Sequence, residues 1–209
     1  MKILIVGASG RVGYQLAQAL MVQGHQVVGT YSRHQPDLPT TVKLDLHQDV
    51  SEMRPAMAGI DAVYFVAGSR GKDLLQTDLN GAIKVMQAAE QSGVSRFIQL
   101  SSAYALQPDR WHEGYLKHLT DYNIAKRYAD EWLMQRTNLD YTIVQPGVLT
   151  TEPATGEVSL DETTLGDNPI EDVVSLLVAV LTADRVHDRV IMMKQGHQPI
   201  ATALKKLSA

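Results

Sequence analysis

The sequence predicts an α/β fold: a doubly wound parallel sheet flanked by helices, with a small C-terminal cap. Three observations carry the prediction. Short β-branched runs alternate with amphipathic stretches from the first residues onward, the pattern of right-handed βαβ crossovers. Several runs are apolar throughout, as strands buried on both faces are. Glycines fall just past the amphipathic stretches, where helices end.

The first strand is Lys2–Val6, all apolar after its lysine. Arg11–Gln23 follows as a helix with Val12, Leu16, Ala19 and Leu20 on one stripe, and Gly24 stops it. Gln26–Tyr31 is the second strand and Val42–Leu44 a short third. Val50–Met57 reads as a short helix interrupted by Pro55, and Ala62–Val66 as the fourth strand. Leu74–Gln91 reads as one long amphipathic helix carrying Leu75, Leu79, Ile83, Met86 and Ala89. Arg96–Leu100 is the fifth strand, Ala103–Glu113 a loop, Tyr115–Thr137 a second long helix and Tyr141–Gln145 the sixth strand. Gly147–Asn168 reads as a surface loop. Ile170–Thr182 is a helix, Arg189–Met193 the last strand and Ile200–Leu207 a terminal helix. No repeat or linker interrupts the chain, so a single domain over residues 1–209 is expected, with 147–209 forming the substrate-side cap. The two long helices are candidate surfaces for a homodimer.

Hydrophobic residues make up 44% and charged residues 20% of the 209, enough for a core without disulfide or metal staples. Cysteine is absent, which excludes a disulfide framework, thiolate-bound zinc, iron–sulfur clusters and thiol nucleophiles. The formal net charge of −4 offers no basic footprint for nucleic acid. The seven histidines include no i,i+4 pair and no H-E-x-x-H, so no metal site is expected. The opening Met1–Val6 run is too short for a signal peptide. Val173–Leu181, the longest apolar-rich stretch, is too short to span a bilayer. A cytoplasmic location without membrane contact is the expectation.

Gly7-Ala8-Ser9-Gly10-Arg11-Val12-Gly13 sits between the first strand and the first helix. This G-x-x-G-x-x-G run is one residue longer in its first gap than the dinucleotide fingerprint. Its chemistry is the same: a glycine turn brings backbone N–H groups to a pyrophosphate, and the helix N-terminus adds its dipole. The third glycine lets helix and sheet pack closely. A Rossmann-like dinucleotide-binding fold is therefore expected. The second strand runs into Ser32-Arg33-His34 with no carboxylate before Asp37. Asp or Glu there would hold the ribose 2′-hydroxyl of NAD, whereas Arg suits the 2′-phosphate of NADP. Ser32, Arg33 and Arg11 make NADP(H) the preferred cofactor over NAD.

These residues resemble a family. The glycine loop is joined by Asp45-Leu46 after the third strand, Val66-Ala67-Gly68 after the fourth and Leu100-Ser101-Ser102 after the fifth. Tyr122-x-x-x-Lys126 and Leu139-Asp140-Tyr141-Thr142-Ile143-Val144-Gln145-Pro146-Gly147 complete the set. Together they resemble an atypical short-chain dehydrogenase/reductase, of the small NAD(P)H-binding group related to biliverdin reductase B and NmrA-like proteins. The resemblance spans essentially the whole chain. It implies that Asp45 and Leu46 contact the adenine, that Ala67 and Gly68 line the ribose side, and that Pro146 and Gly147 lie under the nicotinamide. Helix capping by Asp45 and a plain turn at Pro146-Gly147 are the simpler alternatives.

Tyr122 and Lys126 lie one helical turn apart. An ammonium beside a phenol lowers its pKa, and a phenol so tuned can protonate a carbonyl oxygen as hydride arrives. Ser102 would hold the same oxygen, or Ser101 in its place, since neighbouring strand-end residues face opposite ways. Y-x-x-x-K alone is weak, with about 0.4 matches expected by chance. The 20-residue spacing from Ser102 to Tyr122 is wider than in the basic short-chain enzymes. The loop carrying Tyr104, Trp111, His112 and Glu113 either lines a substrate pocket or is simply packed on the surface. The leading expectation is an NADPH-dependent oxidoreductase passing hydride to a small carbonyl, quinone or flavin-like acceptor. The alternatives are a non-catalytic NADP(H)-binding sensor, as among NmrA-like proteins, and a nucleotide-sugar epimerase or dehydratase. The short C-terminal part disfavours the last of these.

Overall fold

The computed structural model describes residues 1–161 and 164–207. Its elements run β1 (Lys2–Val6), α1 (Arg11–Val22), β2 (Gln26–Tyr31), β3 (Thr41–Lys43), α2 (Val50–Met53), β4 (Ala62–Phe65), α3 (Ala82–Gln91), β5 (Arg96–Leu100) and α4 (Thr120–Arg136). There follow β6 (Asp140–Pro146), β7 (Val148–Thr150), β8 (Glu157–Leu160), β9 (Asp167–Pro169), α5 (Ile170–Ala179), β10 (Arg189–Gln195), β11 (Gln198–Pro199) and α6 (Ile200–Lys206).

The main sheet has the order β11-β8-β10-β6-β5-β4-β1-β2-β3. The seven strands from β10 to β3 pair in parallel. The order reverses at β1, which pairs with β2 on one side and β4 on the other. That reversal opens a crevice at the carboxyl ends of the strands, where open α/β sheets take ligands. Alternation along β1 feeds two cores. Ile3 and Ile5 pack with α1, α5 and α6, whereas Leu4 and Val6 pack with α2, α3 and α4.

Three differences from the sequence reading have physical causes. The segment Leu74–Gly81 is π-helical and only then passes into α3. Its i→i+5 turns put more residues in each turn, leaving Leu75 69% exposed and Asp78 buried. The stretch Gly147–Asn168, expected to be loop, contains β7, β8 and β9; Glu162 and Thr163 lie outside the described residues. These strands are too short to show a period and exist through their partners. β8 pairs antiparallel with β10 and β11, and β7 pairs with β9. The sheet is therefore mixed at one edge rather than wholly parallel, a common feature of large sheets. The helix expected from Tyr115 begins at Thr120, after a short 3-10 turn at Leu116–His118.

Among the described residues, no helix is long and apolar enough to cross a membrane.

Candidate active site

Because the central strands are parallel, the expected site residues fall along one edge. Gly7 follows β1, Ser32 and Arg33 follow β2, Asp45 and Leu46 follow β3, and Ala67 and Gly68 follow β4. Ser101 and Ser102 follow β5, and Gly147 follows β6. Surface hollows of about 410 and 560 Å3 lie near the opposite ends of the strands, lined by Asp184–Arg189 residues and by residues around Arg54–Gly59. They have no part in this row.

The glycine turn is built for close approach. Gly7 has φ +98°, and a Cβ there would lie 2.7 Å from the backbone of Ala67. Its N–H donates to Thr30 Oγ1 at 3.2 Å, and its carbonyl accepts from Gly10 N at 2.9 Å. A Cβ on Gly13 would collide with the Gly7 carbonyl, so α1 starts hard against the turn. Gly10 caps α1 without a side-chain hydrogen bond, and the first turn carries no acidic residue. The helix N-terminus thus keeps donors and positive dipole toward the crevice, and a pyrophosphate fits this cradle. Arg11, Ser32 and Arg33 are exposed around it.

Asp45 is engaged. Its Oδ1 accepts from the His47 amide at 2.9 Å and meets His47 Nδ1 at 3.0 Å, while His47 Nε2 lies 3.0 Å from Asp73. The backbone hydrogen bond first, then the ring, holds the Asp45 carboxyl below its ordinary value. Asp49, not Asp45, caps α2 through a capping box with Glu52.

Beneath the ends of β5 and β6 lies a polar network that motif reading missed. Asp130 accepts from Gln99 Nε2 at 2.5 Å, Ser101 Oγ at 2.5 Å and Gln145 Nε2 at 3.0 Å. Ser101 therefore points into the core toward Asp130. Ser102 is buried, and its hydroxyl has no protein partner among the described residues. Lys126 Nζ donates to the Leu100 carbonyl at 2.7 Å and lies 5.9 Å from the Phe65 ring. Asp78, set by the π-helical turn, accepts from the Ser69 amide at 3.0 Å and leaves Oδ1 without a partner. The available sequence signal was Asp130 itself, one turn beyond Lys126 on the same face.

The surroundings of Tyr122 oppose the lowering expected of its phenol. Burial first, then Asp78, Asp130 and Tyr115, push its phenol up. Burial lowers Lys126 and raises Asp130, each opposed by the other's charge. Tyr122 is held as a neutral phenol able to donate a proton.

The 103–119 loop is tied to itself. Arg110 stacks 3.9 Å from the centre of the Tyr104 ring and pairs with Glu113 at 2.6 Å; Trp111 Nε1 donates to the Tyr104 carbonyl at 2.8 Å. His112 is exposed. At the far end, Pro146 is buried, and a Cβ on Gly147 would strike the Gly166 carbonyl.

A family model described as NAD(P)H-binding matches residues 7–184. The chain belongs to this NAD(P)H-binding family. Among its members' likenesses, the uncharacterised sugar epimerase YhfK of Bacillus subtilis is 32% identical, over 99% of this chain and all of that one. The structure of the oxidoreductase ylbE from Lactococcus lactis superposes with a TM-score of 0.94 at 40% identity, covering 99% of this chain and 96% of that one. A Bacillus halodurans structure bearing the name NAD-dependent epimerase/dehydratase superposes at 0.88 with 33% identity, covering 99% and 100%. This NAD(P)H-binding chain shares the Rossmann-like α/β architecture of the two solved structures over 99% of its length.

Proposed function

We propose that the protein is an NADPH-dependent oxidoreductase that passes hydride to a small carbonyl, quinone or flavin-like acceptor. The observation that carries the reading is the open N-terminus of α1 behind the Gly7 turn, in the same row of strand ends as Ser102. The cofactor, when bound, supplies the hydride. The chain's own residues hold and orient it. The glycine turn takes the pyrophosphate, Arg33 with Ser32 takes the 2′-phosphate, and Pro146-Gly147 supports the nicotinamide side. Ser102, with its hydroxyl uncommitted to protein, offers a hydrogen bond to the acceptor oxygen, and neutral Tyr122 offers the proton.

The names of the two Bacillus relatives favour a second reading, epimerisation, in the case of YhfK of a sugar. Against it, β8, β10 and β11 extend the same sheet and α5 and α6 pack in its core, so the chain after Pro146 adds no broad lobe of the kind that a sugar nucleotide needs.

The test is calorimetric titration with NADPH and NADH, followed by NADPH oxidation against carbonyl, quinone and flavin acceptors. NADPH is expected to bind more tightly and to be oxidised by at least one acceptor class. Tight binding with no oxidation would return the sensor reading, and no binding of either nucleotide would end the proposal.

A further inference from the structure

The side chains beneath Ser101 hold more carboxylates than cations. Asp78 and Asp130 are fully buried and Lys126 is 2% exposed. Three hydrogen bonds converge on Asp130, while Asp78 Oδ1, Ser69 Oγ and Gln99 Oε1 have no partner. Residues 122, 126 and 130 recur at one-turn intervals on α4, so a carboxylate stands one turn past the lysine on the face that carries Tyr122. A compensated ammonium presents little net charge to a phenol beyond it.

We propose that Asp130 is a positioning residue of the site: it anchors Ser101 between β5 and β6 and answers the charge of Lys126, so that Lys126 clamps the Leu100 carbonyl instead of activating Tyr122. This deepens the oxidoreductase reading and rests on it only for the role of Tyr122. The charged and titratable groups acting on Lys126 are Asp130 from its own helix and Asp78 from the π-helical turn. Those acting on Tyr122 are the same two carboxylates and Tyr115. All three disfavour a phenolate, and Lys126, the cation on the same face, is held on the Leu100 carbonyl.

The test reads tyrosinate absorbance against pH in the full-length protein, without turnover. The difference between parent and Tyr122→Phe isolates Tyr122 from the other tyrosines. In the parent, no Tyr122 signal is expected up to about pH 11, beyond the ordinary tyrosine value of about 10. Asp130→Asn removes a carboxylate that bears on both Lys126 and Tyr122, and the Tyr122 step is expected to move down by about one pH unit or more, a tenfold change in proton affinity. Ionisation of Tyr122 at or below about pH 10 in the parent overturns the proposal, and so does an unmoved step in Asp130→Asn. If Asp130→Asn does not fold, Lys126→Gln takes its place: an upward move of the Tyr122 step by about one pH unit or more would show that the ammonium does lower that phenol and overturns the proposal, and an unmoved step supports it. Failure to bind either dinucleotide would remove the oxidoreductase reading and leave these titrations standing.

Discussion

Arg33 follows the end of β2, exposed and without an ion-pair partner among the described residues. The segment that follows β2 carries no carboxylate before Asp37 to take a ribose hydroxyl. A guanidinium gains most from a doubly charged phosphate, through paired charge-assisted hydrogen bonds. Arg33→Ala is therefore expected to weaken NADPH binding at least about tenfold and to leave NADH binding nearly unchanged. Equal losses in paired calorimetric titrations would place the selector elsewhere. In the proposed reaction Tyr122 is the proton donor. With a carbonyl acceptor, Tyr122→Phe is expected to lower kcat by about 100-fold or more, the usual worth of a general acid, with NADPH affinity retained. Steady-state turnover beside a binding titration separates the two effects. Undiminished turnover would mean that hydride moves without a proton from this residue.

The loop between β7 and β8 depends on α5 for its place. Asp172, in the first turn of α5 and 1% exposed, accepts from the Gly156 amide at 2.8 Å, the Thr155 amide at 3.0 Å and Thr155 Oγ1 at 3.3 Å. Asp172→Ala removes the acceptor of the amides of exposed Thr155 and Gly156, which water can partly replace, and is expected to cost about 1.5 kcal/mol, read as a lower urea midpoint with an unchanged slope. An effect below about 0.5 kcal/mol, the scale of an ordinary surface change, would show that the loop holds itself. The same scale explains what was legible in the sequence. β1, β2 and β5 have the bounds the sequence suggests, because each carries a run of apolar residues packed against the helices, as in Ile3 to Val6, Val27 and Val28, and Phe97 and Ile98. β7, β8 and β9 left no such mark, since pairing with distant partners defines them. The π-helical turn was hidden by a stripe that fits a regular helix equally well. At the site, the glycine turn and the Tyr122/Lys126 pair were visible as spacings. Asp78, Gln99, Asp130 and Gln145 were not, because a buried polar residue is recognised by its partners and not by its neighbours in sequence.

The two cores of the whole molecule meet across the sheet, and Tyr64 fastens one of them. It is fully buried in β4, and its hydroxyl donates to the Leu177 carbonyl of α5 at 2.8 Å. Burial pushes this phenol up, with Arg96 pulling weakly against it. The sign of the linkage follows. In the unfolded chain the phenol ionises near pH 10, while in the folded chain it stays protonated to higher pH. Above about pH 10 the unfolded state alone releases this proton, so stability falls by up to about 1.4 kcal/mol per pH unit. The contribution is complete below pH 10 and is lost on the alkaline side. Tyr115, pushed up to about 12 chiefly by burial, adds to the same limb. Tyr64→Phe removes one hydrogen bond and is expected to cost about 1 kcal/mol at neutral pH. It also removes one of the protons responsible for alkaline loss. Plots of Tm against pH for parent and variant should therefore start apart, converge above about pH 10 and then cross. Parallel curves would show that the Tyr64 phenol reaches solvent without unfolding, and that the join between β4 and α5 is looser than its geometry.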